Sequence, residues 1–145
     1  MATIVIPPAS ILNLQQLEAY VSGPDTANRL LTISGQFTQQ VTVNGLANSS
    51  VENSDSFSVL VGPVLTHNQF FKAIATGSLA QISYYSSAVP SNSFWSIDSI
   101  DADWDDESGQ VELRIDVSIE AFGPGSTSVV GLNFQVTILY MAAAQ

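Results

Sequence analysis

Eleven consecutive residues, VELRIDVSIEA from Val111 to Ala121, alternate without a break. Val111, Leu113, Ile115, Val117, Ile119 and Ala121 fall on one parity, and Glu112, Arg114, Asp116, Ser118 and Glu120 on the other. Period two with β-branched residues on one side describes a strand that buries one face and solvates the other, the usual state of an antiparallel sheet. The pattern returns at Leu132, Phe134, Val136, Ile138 and Tyr140, after the turn-rich stretch FGPGSTS. Two consecutive strands joined near Gly123 to Ser126 are expected.

Upstream, LLTISGQFTQQVTVNG keeps Leu31, Ile33, Phe37, Val41 and Val43 on one parity, as one long bent strand or a hairpin broken near Gln39-Gln40. Phe57, Val59 and Val61 form another strand, Ala80, Ile82 and Tyr84 a short one, and Phe94 to Trp104 a further one. Short strands separated by turn residues predict an all-β fold, a single-domain antiparallel β-sandwich, jelly-roll-like or Ig-like, over residues 1–145. Ser10 to Val21 reads equally as one short N-terminal helix, capped by Ser10 with Ile11, Leu14, Leu17 and Val21 on one face, or as an irregular edge strand. A weaker helical turn is expected around Asn68 to Ala75. Gly23-Pro24, Gly62-Pro63 and Gly123-Pro124 are expected to mark turns or strand ends, because proline lacks the N–H that a central ladder uses. The Asn48-Ser49-Ser50 triplet supports a loop over residues 44–56.

Charge narrows the function. Thirteen acidic residues face only Arg29, Lys72 and Arg114, for a net charge of −10 at pH 7. Nucleic-acid affinity rests on cations that neutralise phosphates, so nucleic acid is not an expected partner. No apolar run approaches the ~18 residues a membrane helix needs, so no membrane insertion is expected. The start, MATIVIPPAS, lacks the basic region of a signal peptide. A soluble protein is expected, cytoplasmic or exported as part of an assembly. With no cysteine, thiolate chemistry and disulfides are excluded. Charged residues make up 11% of the chain, so its polar surface must come mostly from Ser, Thr, Asn and Gln.

The stretch DADWDDESG, residues 101–109, is the most chemically loaded. Asp101, Asp103, Asp105 and Glu112 match the carboxylate spacing of an EF-hand loop, which makes calcium the one candidate cofactor. However, Asp106 stands where that loop needs glycine, and both flanks read as strands. A hairpin explains more. A turn over Asp106 to Gly109, with Gly109 left-handed, sets Trp104 opposite Val111, Ala102 opposite Leu113 and Ile100 opposite Ile115. Asp103 then faces Glu112, a like-charge pair that costs stability, and Asp101 faces Arg114.

Other chemistry is thin. His67 is the sole histidine, no nucleophile elbow accompanies it, and no catalytic residue is assigned. Tyr85, Phe94 and Trp95 are candidate ligand-binding aromatics around a Ser/Pro loop; core packing of Tyr84 and Trp95 is the structural alternative. The leading expectation is a non-catalytic structural protein that self-assembles into a homo-oligomer, its strands at Thr3 to Ile6 and Leu132 to Tyr140 pairing with neighbouring subunits at exposed edges or within a shared sheet. The alternative is a lectin-like carbohydrate-binding module, calcium-assisted through the acidic hairpin.

Overall fold

A computed structural model describes residues 3–21, 28–85 and 92–142. Nine strands follow in order: β1 (Thr3–Val5), β2 (Leu12–Tyr20), β3 (Asn28–Phe37), β4 (Val41–Gly45), β5 (Ser50–Val61), β6 (Phe70–Tyr85), β7 (Asn92–Trp104), β8 (Val111–Phe122) and β9 (Gly125–Met141). They build a two-sheet sandwich. The first sheet runs β1-β5-β8-β7. In the second, β9 is central: β6 pairs with one side, β3 and β4 share the other, and β2 adds outside β3. All pairs are antiparallel except β1 with β5, which is parallel.

The core follows the alternation. All six residues of the apolar parity in β8 are buried, facing Phe57, Val59 and Val61 of β5 within the first sheet and Leu132, Phe134, Val136 and Ile138 of β9 across the sandwich. Phe37 lies at its centre, 5.9 Å from the Phe57 ring and 6.0 Å from that of Phe134. Each fully buried side chain of this kind contributes roughly 1.5–3 kcal/mol.

Several expectations resolve here. Residues 28–45 form one bent strand: β3 and β4 pair with successive stretches of β9, and the break falls at 38–40. Within the segment 10–21, Leu12–Tyr20 is an edge strand, and helix is limited to one 3-10 turn at Pro8–Ser10. Both patterns fitted its leucines; pairing with β3 decides, because it satisfies backbone groups that a lone helix on the surface would satisfy only internally. Its irregularity lies between Leu12 and Gln15, where Asn13 takes a positive φ of 54°. The helical turn expected near Asn68 is a hydrogen-bonded turn at 67–69, after which β6 begins. The loop expected over 44–56 shrinks to 46–49, between β4 and β5. Gly62 and Gly123 end β5 and β8 with φ of 81° and 92°. Gly23-Pro24 lies outside the described residues.

Leu132 to Tyr140 is not an edge. It belongs to β9, paired on both sides, because a continuous apolar parity is the mark of a central strand. Among the described residues the strands paired on one side only are β1 and β7 in the first sheet and β2, β4 and β6 in the second. No helix among the described residues is long and apolar enough to cross a membrane.

Candidate functional site

The β7–β8 hairpin carries the expected register: Ile100–Ile115, Asp101–Arg114, Ala102–Leu113, Asp103–Glu112 and Trp104–Val111. The turn closes through Asp105 N–H to the Gln110 carbonyl at 2.9 Å and Gly109 N–H to the Asp105 carbonyl at 2.8 Å, with Gly109 left-handed at φ 73°. Trp104 anchors it from inside, its Nε1 donating to the carbonyls of Leu65 at 3.2 Å and Gly109 at 3.1 Å. The exposed His67 ring lies 5.3 Å from that indole.

Asp101, Asp103, Asp105 and Glu112 line one shallow cleft, so the structure brings the predicted acidic set together. It also brings Arg114, which bonds Glu112 on its own strand rather than Asp101 across from it. The other carboxylates are partly engaged. Asp105 Oδ2 accepts from the Ser108 hydroxyl at 2.6 Å and amide at 3.0 Å, which holds its carboxyl below the ordinary range. Asp103 Oδ1 accepts from the Trp104 amide at 2.8 Å. Among the described residues no group of three His, Cys, Asp or Glu is placed to hold a metal ion.

The acids continue across the outer face of the first sheet, where serines absorb them. Asp98 Oδ1 accepts from Ser96 at 2.7 Å and Ser118 at 3.0 Å. Asp116 Oδ2 accepts from Ser99 at 2.6 Å, and hydrogen bonds from Ser56 and Ser99 lower its pKa. Of the thirteen acidic residues, all but Glu18 and Asp25 lie on β5, β7, β8 or the β7–β8 turn. The negative charge of the described residues is therefore concentrated on the first sheet, with Glu18 the one acid on the second.

The aromatic candidates are dispersed. A bulge between Ile97 and Ser99 switches the parity of β7, so Trp95 sits opposite the buried Ile119 and Phe94 opposite Glu120. Neighbouring residues of a strand point to opposite faces, and these two rings do not form one platform. Phe94 is 67% exposed, beside Glu120 and Glu52 on the outer face. Tyr85 ends β6, its backbone paired with Ser126; its side chain lies outside the described residues.

The outer face of the second sheet was not singled out by the sequence. Register stacks Leu17, Thr32, Thr137 and Ile74 in one row, Gln15, Ser34, Gln135 and Thr76 in the next, and Gln36, Asn133 and Ser78 beyond. The last two rows, with Asn13, surround an open concavity of about 490 Å³. Its floor is backbone at Gly35, Phe134 and Gly77, the Phe134 ring being buried on the other side. The signal was present as polar parity in β3 and β9, but which polar residues gather depends on four strands distant in sequence.

Fold and site together define a β-sandwich whose first sheet has an acidic outer face and whose second carries an uncharged polar concavity. Comparison with protein-family models, curated proteins and solved structures returns no match.

Proposed function

We propose that this chain is a non-catalytic structural protein that associates with copies of itself through the β2 edge of the sandwich. The observation that carries this reading is β2: nine residues, every one exposed, bonded to β3 on one side and to no strand of the described residues on the other. Leu12, Leu14, Leu17 and Tyr20 are 48, 48, 73 and 78% exposed. Proteins that stay monomeric blunt such edges with lysine, proline, bulges or inward charges; the irregularity of β2 is confined to Leu12–Gln15, and Gln15 to Tyr20 pair with β3 without a break. β2 holds neither lysine nor proline.

Its one acid, Glu18, is compensated within the chain: it accepts from the Tyr140 hydroxyl at 2.5 Å and lies 4.0 Å from Arg29. The occupant is a second copy because the charge distribution suits one. Two chains of −10 each repel, and the surface that minimises this repulsion is the second sheet, where Glu18 is the one acid among the described residues and is paired with Arg29. Pairing of β2 with β2 is self-complementary, joins two second sheets across a two-fold axis and leaves both acidic faces in water.

Light scattering over a range of concentrations tests the reading. A stable dimer or larger assembly is expected, with Leu17→Lys, a substitution at an exposed position, shifting it toward monomer. A wild-type protein that remains monomeric at every concentration overturns it.

A further inference from the structure

We infer that the outer face of the second sheet binds a neutral polyhydroxylated ligand, an uncharged oligosaccharide, at the concavity among Gln15, Gln36, Asn133 and Gln135. These four amides come from β2, β3 and β9 and stand in adjacent rows around the backbone floor. Each amide offers two donors and an acceptor oxygen, which suits sugar hydroxyls that donate and accept at once.

Neutrality of the ligand follows from the charges. On this face of the four strands the nearest ionisable side chain along β6 is Lys72, four residues from Thr76 and so about 13 Å away. That exceeds the ~8 Å screening length of physiological salt, so an ionic ligand gains nothing here that water does not supply.

The two faces also differ in what their polar groups already do. On the first sheet, hydroxyls of Ser96, Ser99 and Ser118 are spent on Asp98 and Asp116. Around the concavity the one bond between side chains among the described residues joins Asn133 Nδ2 to Ser78 Oγ, at a long 3.5 Å. The amides therefore keep their capacity for a ligand. One row away, Leu17 and Ile74, 73 and 58% exposed, offer apolar surface to the C–H face of a sugar ring. A volume of about 490 Å³ falls within the ~300–1,000 Å³ of small-ligand sites. The site is distinct from Phe94, Trp95 and the acidic hairpin, which belong to the other sheet.

Calorimetric titration of the full chain with neutral gluco-, xylo- and chito-oligosaccharides tests this. Saturable binding of at least one series is expected, unchanged by EDTA. Two lost hydrogen bonds in Gln15→Ala/Gln135→Ala weaken it about tenfold or more, with circular dichroism confirming the fold. Phe94→Ala leaves it unchanged. Absence of saturable binding overturns the inference, as does binding lost in Phe94→Ala but kept in the double variant. Light scattering on the same samples separates this inference from the assembly reading: an oligomer blind to sugars overturns only the site, and a sugar-binding monomer only the assembly.

Discussion

Asp103 stands directly across the β7–β8 hairpin from Glu112, and the cation that offsets this like-charge pair is Arg114, two residues along Glu112's own strand. Arg114 is the only Lys or Arg on the first sheet, so it compensates more acid than any partner could replace. Arg114→Gln is expected to lower the melting temperature at low salt, with the difference shrinking near about 1 M salt, where screening acts within ~3 Å. Asp103→Asn is expected to act in the opposite sense, because it removes the facing repulsion and keeps an oxygen to accept the Trp104 amide. Thermal melts of both variants at two salt concentrations check the pair of signs.

Stability should fall at both ends of the pH scale, for different groups. Ser108 holds the Asp105 pKa below its ordinary 3.8, and Ser56 and Ser99 do the same for Asp116. A folded pKa below the unfolded one contributes stability above pH 3.8 that is lost as pH falls through the folded value. Tyr140 behaves in reverse: burial first, then its bond to Glu18, pushes its pKa from 10.0 to about 12. That contribution is complete below pH 10.0 and is lost as pH rises toward about 12. Melting temperatures across pH should show Ser99→Ala reducing the acid loss and Tyr140→Phe reducing the alkaline one.

Two glycines allow close approach, and their substitutions should differ in cost. A Cβ on Gly45 would sit 2.0 Å from the backbone oxygen of Gly123, which cannot withdraw without moving the β8–β9 corner. Gly45→Ala should cost about 3 kcal/mol, the upper end of ordinary overpacking. A Cβ on Gly77 meets the flexible end of Ile100 at 2.8 Å and the Asn133 carbonyl oxygen only at 3.1 Å, so Gly77→Ala should cost less, about 1–2 kcal/mol. Combining it with Ile100→Val should recover part of that loss. Chemical denaturation of the three variants measures the order.

Trp104→Phe removes the indole donor shared by the Leu65 and Gly109 carbonyls while leaving most of the ring's packing. The expected loss is about 1–2 kcal/mol, since Gly109 O retains the 2.7 Å bond from the Leu65 amide. Urea unfolding followed by circular dichroism gives the number, and a loss below about 0.5 kcal/mol would show that the indole bonds contribute little.

Alternation alone determined much of this protein. The period-two parity of Val111 to Ala121, with the Gly109 turn, was enough to place the hairpin partners from Ile100 to Trp104, because strand periodicity assigns faces and a tight turn assigns register. The absence of cysteine excludes thiolate chemistry and disulfides from composition alone. What periodicity cannot report is the identity of a strand's neighbour. Whether Leu12 to Tyr20 became helix or strand was settled by β3, and whether β9 was edge or centre by β6. The bulge at Ile97–Ser99 separated Phe94 from Trp95, and lateral distance on the sheet, not cross-strand register, gave Arg114 to Glu112. The amide-lined concavity arises entirely at this level: Gln15, Gln36, Asn133 and Gln135 meet only because non-local pairing stacks β2, β3 and β9, and such pairing leaves no mark on the local sequence.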